Sequence, residues 1–327
     1  MADLKTQYMG LCLKNPVIAA SSRLTGSMDS LLRCEEAGAG AVVLKSLFEE
    51  QILFDSEKMV EGTDMGVYTD AFDFLSGVSK NYYLDQYLSL LEEAKKRLSI
   101  PVIASINCIG AGVWTEYAEK MEALGADALE LNMFILPSDP EQRSEDIEKK
   151  YMSTVKEIRS VLTIPMAMKI SSHFTGLAGM VEALGEAGLN AVVMFNRFFR
   201  PDIDIESLKF TSGNIFSDPS EVVIPLQWIA LLYGQTRVDL AASTGVHDYT
   251  GVVKNILAGA NAVEICSTLF KNGIEHLGKL ITGMNQWMDR HSFEKVTDFL
   301  GLLSKANLEH PEIWERSQYI KALTGIS

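Results

Sequence analysis

The apolar residues of this chain fall into short, nearly unbroken runs, and each run closes on a polar side chain. Val17-Ile18-Ala19-Ala20 leads into Ser21-Ser22, and Ala41-Val42-Val43-Leu44 into Lys45-Ser46. Pro101 to Ile106 closes on Asn107, Asp127 to Leu131 on Asn132, Pro165 to Met168 on Lys169, and Ala191 to Phe195 on Asn196. Val238 to Ala242 leads into Ser243-Thr244-Gly245, and Ala262 to Ile265 into Cys266-Ser267. Runs this short, bounded by turn residues, are the pattern of strands covered on both faces, as in a parallel sheet.

The runs come in pairs. Within a pair a helical stretch ends at a glycine just before the second strand, as with Cys34 to Ala37 before Gly38, where Ser27 or Asp29 is the expected cap. The same holds for Trp114 to Leu124 before Gly125, Ala178 to Ala187 before Gly188, and Tyr249 to Leu257 before Gly259. The two strands of each pair start about 25 residues apart, the size of a βα step. Four pairs make eight strands, which predicts an α/β fold of the (β/α)8 TIM barrel type within roughly 250 residues. A doubly wound open sheet is the alternative, but no GxGxxG follows the first strand.

Leu4 to Leu13 alternates loosely around Gly10 and reads as an N-terminal hairpin. Two spans break the rhythm, 47–98 after strand two and 197–237 after strand six, and are expected as insertions at the face where barrels carry their sites. The segment 286–327 reads as a C-terminal helical tail, and 1–327 as one barrel domain.

Composition narrows the function classes. Hydrophobic residues make up 47% of the 327 and charged residues 22%, as in soluble globular chains. A formal charge of -14 argues against general affinity for nucleic acid or an anionic membrane. Cys12, Cys34, Cys108 and Cys266 are scattered without metal-ligand spacing, so no metal site is expected and a reducing, cytoplasmic compartment is the simpler reading. No signal-peptide pattern and no run of 18 apolar residues occurs.

Strand C-terminal ends converge on one mouth in a barrel, so the polar stops define the expected site: Ser21, Lys45, Asn107, Asn132, Lys169, Asn196, Thr244 and Ser267. Taken singly, a lysine here could be a snorkelling surface residue and an asparagine a turn residue. Together they suit a planar, amide-rich, partly anionic ligand, since asparagine offers both donor and acceptor and lysine stabilises developing negative charge. The loops Ser243 to Val246 and Cys266 to Thr268 hold the place of a barrel's usual phosphate site, with Gly245 permitting close backbone approach.

At these residues the chain resembles the dihydroorotate dehydrogenase family of FMN-dependent barrels. The resemblance covers nearly the whole chain, through Asn15-Pro16, Val43 to Ser46, Gly125 to Asn132, Met168-Lys169-Ile170 and Ser243 to His247. Ser46 to Gln51, Phe195 to Phe198 and Pro201 to Asp204 look like a bacterial branch labelled dihydroorotate dehydrogenase-like. The resemblance implies FMN as cofactor, with Ala20, Ser21, Lys45, Ser46, Asn107, Asn132 and Lys169 along the flavin and Thr244, Gly245, Val246, Cys266 and Ser267 around its phosphate. It implies Asn132, Asn196 and Arg197 as substrate contacts, Lys45 and Lys169 in the catalytic group, and a homodimer as in the soluble members. The membrane class carries an N-terminal helical extension, whereas this chain starts at the hairpin, which favours the soluble branch.

The family's base is a cysteine or serine closely following the strand-four asparagine. Here that loop is Met133-Phe134-Ile135-Leu136-Pro137, with no titratable group before Ser138 and Asp139. The segment after strand two also shows no clear match to the family's asparagine-bearing substrate loop. His173 is the replacement base carried forward, with Cys108, Tyr68, Tyr82 and Tyr83 as further options and ordinary surface or packing roles as the alternative for each. Arg197 and Arg200 could meet a carboxylate substrate or form rim salt bridges with Asp202 or Asp204. The leading expectation is an FMN-dependent dehydrogenase acting on dihydroorotate or a related small cyclic substrate. The alternatives are a flavin-binding electron relay or regulatory protein, and a Schiff-base lyase built on Lys169 or Lys45. The electron acceptor is unknown; without a CxxC cluster, an iron–sulfur or nicotinamide partner would be a separate polypeptide.

Overall fold

A computed structural model describes residues 2–48, 69–108, 114–197 and 201–315, with side chains for all of these except 69–82, Cys108 and Ser212. Two short strands, β1 (Thr6–Tyr8) and β2 (Leu11–Leu13), form the N-terminal hairpin. The barrel strands are β3 (Val17–Ala19), β4 (Ala41–Val43), β6 (Val102–Cys108), β7 (Ala128–Met133), β8 (Met166–Ile170), β9 (Ala191–Met194), β12 (Asp239–Ser243) and β13 (Ala262–Ile265). Each pairs in parallel with the next, and β13 returns to β3, which closes the (β/α)8 barrel. A further short strand, β5 (Leu47–Phe48), pairs with the end of β6.

The strand starts are tied by one repeated device. Asp127 accepts from the Val102 amide at 2.7 Å, Asn190 from Met166 at 2.9 Å and Asn261 from Leu240 at 3.1 Å. Each acceptor lies two residues after the helix-ending glycine and directly before its own strand, so it secures the first or second amide of the neighbouring strand. In the first pair that place is Gly40, whose absent Cβ would lie 2.0 Å from the Asn15 carbonyl; buried Asn15 instead supplies the acceptor, to Val17 at 3.0 Å.

The α-helices of the described residues are α1 (Met28–Glu36), α2 (Thr69–Arg97), α3 (Trp114–Ala123), α4 (Ser144–Arg159), α5 (Leu177–Glu186), α6 (Val223–Leu232), α7 (Tyr249–Ala258), α8 (Ser267–Asn272) and α9 (His276–His291). Ser27 caps α1, accepting from the Ser30 amide. The antiparallel pair β10 (Pro201–Asp204) and β11 (Lys209–Ser212) follows β9, with Ile203, Leu208 and Phe210 exposed. Among the described residues no helix is long and apolar enough to cross a membrane.

Alternation along each strand separates two cores. Leu129, Leu131, Met166, Met168, Val192, Val263 and Ile265 face the helices. Ile18, Ala41, Val43, Ile103, Ala128, Ala167, Ala191, Val193, Ala241 and Ala262 fill the barrel's lower interior, sealed by Tyr8, Met9 and Leu13 of the hairpin. Above this apolar layer the inward positions turn polar, with Ser105, Glu130, Lys169, Ser243 and Glu264 all buried.

Candidate active site

The polar residues do not all stop their strands: β6 continues through Asn107 to Cys108, β7 through Asn132 to Met133, and β8 through Lys169 to Ile170. Expecting strands to end at these side chains was therefore wrong. Inside a barrel an inward position can be polar without breaking the ladder, because its partner is another inward side chain. The register sets Asn107 beside Asn132 and Asn132 beside Lys169. Asn196, just after β9, donates its amide to the Asn132 side-chain oxygen.

Along the wall made by β3, β4 and β6 a chain of hydroxyls runs from strand to strand. Ser21 and Ser46 lie 3.0 Å apart, Ser46 and Ser105 2.8 Å apart, and the Ser46 amide donates to Ser21 at 2.9 Å. Tyr87 of α2 accepts from the Ser105 amide at 2.7 Å. Lys45 is half-buried and forms no ion pair among the described residues. It lines a cavity of about 630 Å³ with Ser46, Phe48, Tyr83 and Gln86.

A smaller cavity of about 160 Å³ gathers Ser21, Lys169, Asn196, Arg197, Thr244, Gly245, Cys266 and Ser267. Thr244 and Gly245 are consecutive left-handed residues, φ +79° and +77°, a backbone form that can turn successive amides toward one anion. A Cβ on Gly245 would lie 2.2 Å from the Val222 nitrogen, so only glycine fits. Ser217 closes the far side: its amide donates to Ser267 Oγ at 3.0 Å, its hydroxyl meets His247 Nε2 at 3.0 Å, and Lys271 Nζ donates to its carbonyl at 2.9 Å. Burial, followed by the Lys271 charge, depresses the His247 pKa, and burial raises the Cys266 thiol against the pull of Lys169. Cys266 is thus a neutral thiol. The glycine cradle, the hydroxyls and a lysine two strands away fit a phosphate joined to a flat heterocycle, the general shape of FMN.

Two residues at the centre had no place in the sequence reading. Lys169 Nζ donates to Glu264 Oε2 at 2.6 Å, and Glu264 is only 2% exposed. Glu130, 1% exposed, lies within side-chain hydrogen-bonding reach of Glu264. Burial, the Glu264 charge and that hydrogen bonding raise the Glu130 pKa well above the carboxylate range, against Lys169. Burial works to lower the Lys169 pKa, but Glu264 and then Glu130 hold it above its usual value. The clue was parity: Glu130 falls two residues before Asn132 on the inward face, and Glu264 two before Cys266.

The other expected residues lie around this centre. Ala20 is buried beyond β3, and Val246 is buried beside Gly245. Arg197 donates to Glu221 at 2.8 Å and to the Ile215 carbonyl at 2.8 Å, so its partner is neither Asp202 nor Asp204, whose carboxylates cap their own loop. His173 is exposed, 6.4 Å from the Phe134 ring between centroids, and shares a cavity of about 60 Å³ with Ile135 and Ser171. Tyr68, Arg200 and the side chains of Tyr82 and Cys108 lie outside the described residues. Among the described residues no cluster of His, Cys, Asp and Glu could hold a metal ion.

Comparison with known proteins decides the family. A family model described as dihydroorotate dehydrogenase matches residues 3–288. The chain belongs to the dihydroorotate dehydrogenase family. It is 29% identical over 315 residues to a Thermoplasma acidophilum protein named dihydroorotate dehydrogenase B (NAD(+)), catalytic subunit, covering 92% of this chain and 99% of that relative. A Thermoplasma volcanium protein of the same name is 27% identical over 321 residues, covering 93% and 100%. Among solved structures, a dihydroorotate dehydrogenase from Eimeria tenella in complex with ferulenol superposes with a TM-score of 0.65 at 16% identity, over 92% of this chain and 88% of the other. That structural likeness concerns the fold. Within the family frame, the loop after Asn132 remains apolar: Met133 is fully buried and Leu136 is 61% exposed.

Proposed function

We propose that this family member is an FMN-dependent oxidoreductase acting on a CH–CH bond of dihydroorotate or a related small cyclic substrate, by hydride transfer to flavin. The observation that carries the reading is the joining of the Thr244-Gly245 cradle to Lys169 and the Asn132–Asn196 pair in one polar mouth. Thr244, Gly245, Val246, Cys266 and Ser267 would hold the phosphate; Ala20, Ser21, Lys45, Ser46, Asn107 and Lys169 would line the ring system. Bound flavin supplies a two-electron acceptor. Asn132, Asn196 and Arg197 would orient the substrate, with the Arg197 fork steadied by Glu221. His173 is the base we assign, because it shares a cavity with Ile135, in the loop where the expected base is missing. A proton acceptor must come within about 3 Å of its proton or one water away.

In this reading the chain works as one barrel, with the described parts of 47–98 and 197–237 as rims of the site and the described part of 286–327 as a tail, while 49–68, 198–200 and 316–327 lie outside the described residues, and it acts in the cytoplasm as a homodimer. The electron relay reading draws on the same apolar loop, which leaves flavin binding intact without a base. For the lyase, Glu264 holds Lys169 protonated and so unreactive toward carbonyls, which leaves Lys45 as its lysine. Purification followed by reconstitution with FMN tests the first reading. A yellow protein with stoichiometric flavin is the expected result; a colourless protein that takes up none overturns both flavin readings.

A further inference from the structure

The barrel interior beneath the candidate site holds two carboxyl groups and one amine, all withdrawn from solvent. Glu130, Glu264 and Lys169 are 1%, 2% and 8% exposed. They project inward from β7, β13 and β8, directly above the alanine layer. Lys169 and Glu264 form a 2.6 Å ion pair, and Glu130 lies close enough for both the Glu264 and the Lys169 charges to act on it. The second Glu130 oxygen, Oε1, is buried without a hydrogen-bond partner. Two carboxylates in hydrogen-bonding contact cannot both be ionised at such a site, and one amine balances only one of them.

We propose that Glu130 and Glu264 share a single proton beside Lys169, so that the amine stays an ammonium while the buried trio is neutral overall. The shared proton is independent of which ligand binds.

The surroundings agree. Tyr8 from the hairpin has a buried, unpartnered hydroxyl whose pKa is raised by burial and by Glu264, Glu130 and Asp239. Tyr87 from α2 is likewise raised by burial, with Glu130 adding to it. Cys266 after β13 is a neutral thiol. Asp239 on β12 accepts from the Met9 amide at 2.7 Å at the hairpin end. Lys169 is therefore the only cation among the charged and titratable groups assigned to this cluster.

Infrared spectroscopy of the flavin-free protein tests the shared proton. At neutral pH the wild type should show a protonated-carboxyl stretch that both Glu130→Gln and Glu264→Gln abolish, the first by removing the acid and the second by letting Glu130 ionise against Lys169. Absence of the band in the wild type, or its persistence in Glu264→Gln, overturns the proposal. Should either glutamine variant fail to fold, Lys169→Met serves instead: with the cation gone both carboxyls keep protons and the band should grow about twofold, whereas an unchanged band contradicts the shared proton.

Discussion

Replacing Glu130 by glutamine should make the flavin-free protein more resistant to alkaline weakening. In the unfolded chain Glu130 is an ordinary carboxyl and has lost its proton by about pH 6. In the folded protein burial, then the Glu264 charge, keeps that proton on. Unfolding therefore releases a proton, and rising pH favours unfolding. The contribution is complete below the unfolded pKa and is lost as pH climbs toward the raised folded value. One proton corresponds to about 1.4 kcal/mol per pH unit, so wherever Glu130 stays protonated in the folded protein and ionised in the unfolded chain the wild type should lose about that much per unit of rising pH. Glutamine matches the protonated acid in shape and cannot ionise, so this part of the slope vanishes in Glu130→Gln. Urea unfolding at three pH values, compared between the two proteins, measures the difference. Parallel stability profiles would refute the reasoning, because they would mean that Glu130 carries the same charge folded and unfolded.

Three further outcomes follow from the site. Gly245→Ala forces a Cβ against the Val222 backbone at a left-handed residue and should weaken FMN binding by about tenfold or more, measured by fluorescence titration; unchanged affinity would remove the cradle from the site. Lys169→Met strips the cation from Glu264 and should cost about 3–5 kcal/mol at pH 8, with a smaller loss at pH 5 where the carboxyls protonate, as read by denaturant midpoints. Ile135→Cys places a thiol in the apolar loop after Asn132 and should raise dihydroorotate oxidation in a steady-state assay if the missing base limits turnover.

Most of the barrel was legible because buried parallel strands leave a simple signature, apolar runs at fixed spacing, that needs no knowledge of partners. The repeated glycine-to-strand turns marked the strand starts, and Asp127, Asn190 and Asn261 show why: each secures one of the first two amides of the neighbouring strand. The rim residues were legible as polar interruptions. Glu130 and Glu264 were not, since a single acid inside a strand reads as an outward face until a partner lysine from a distant strand is known. Lys169 and Glu264 are 95 residues apart in sequence, and no local pattern joins them. Likewise the Arg197 partner, Glu221, sits across a long insertion, while nearer Asp202 and Asp204 are occupied by their own turn.

The central claim is oxidation of a dihydropyrimidine by bound flavin, and anaerobic addition of dihydroorotate to the FMN-loaded protein tests it most directly. Bleaching of the flavin absorbance with appearance of orotate is the predicted result. A flavin spectrum that persists unchanged with dihydroorotate, yet bleaches fully with a chemical reductant, would contradict the account.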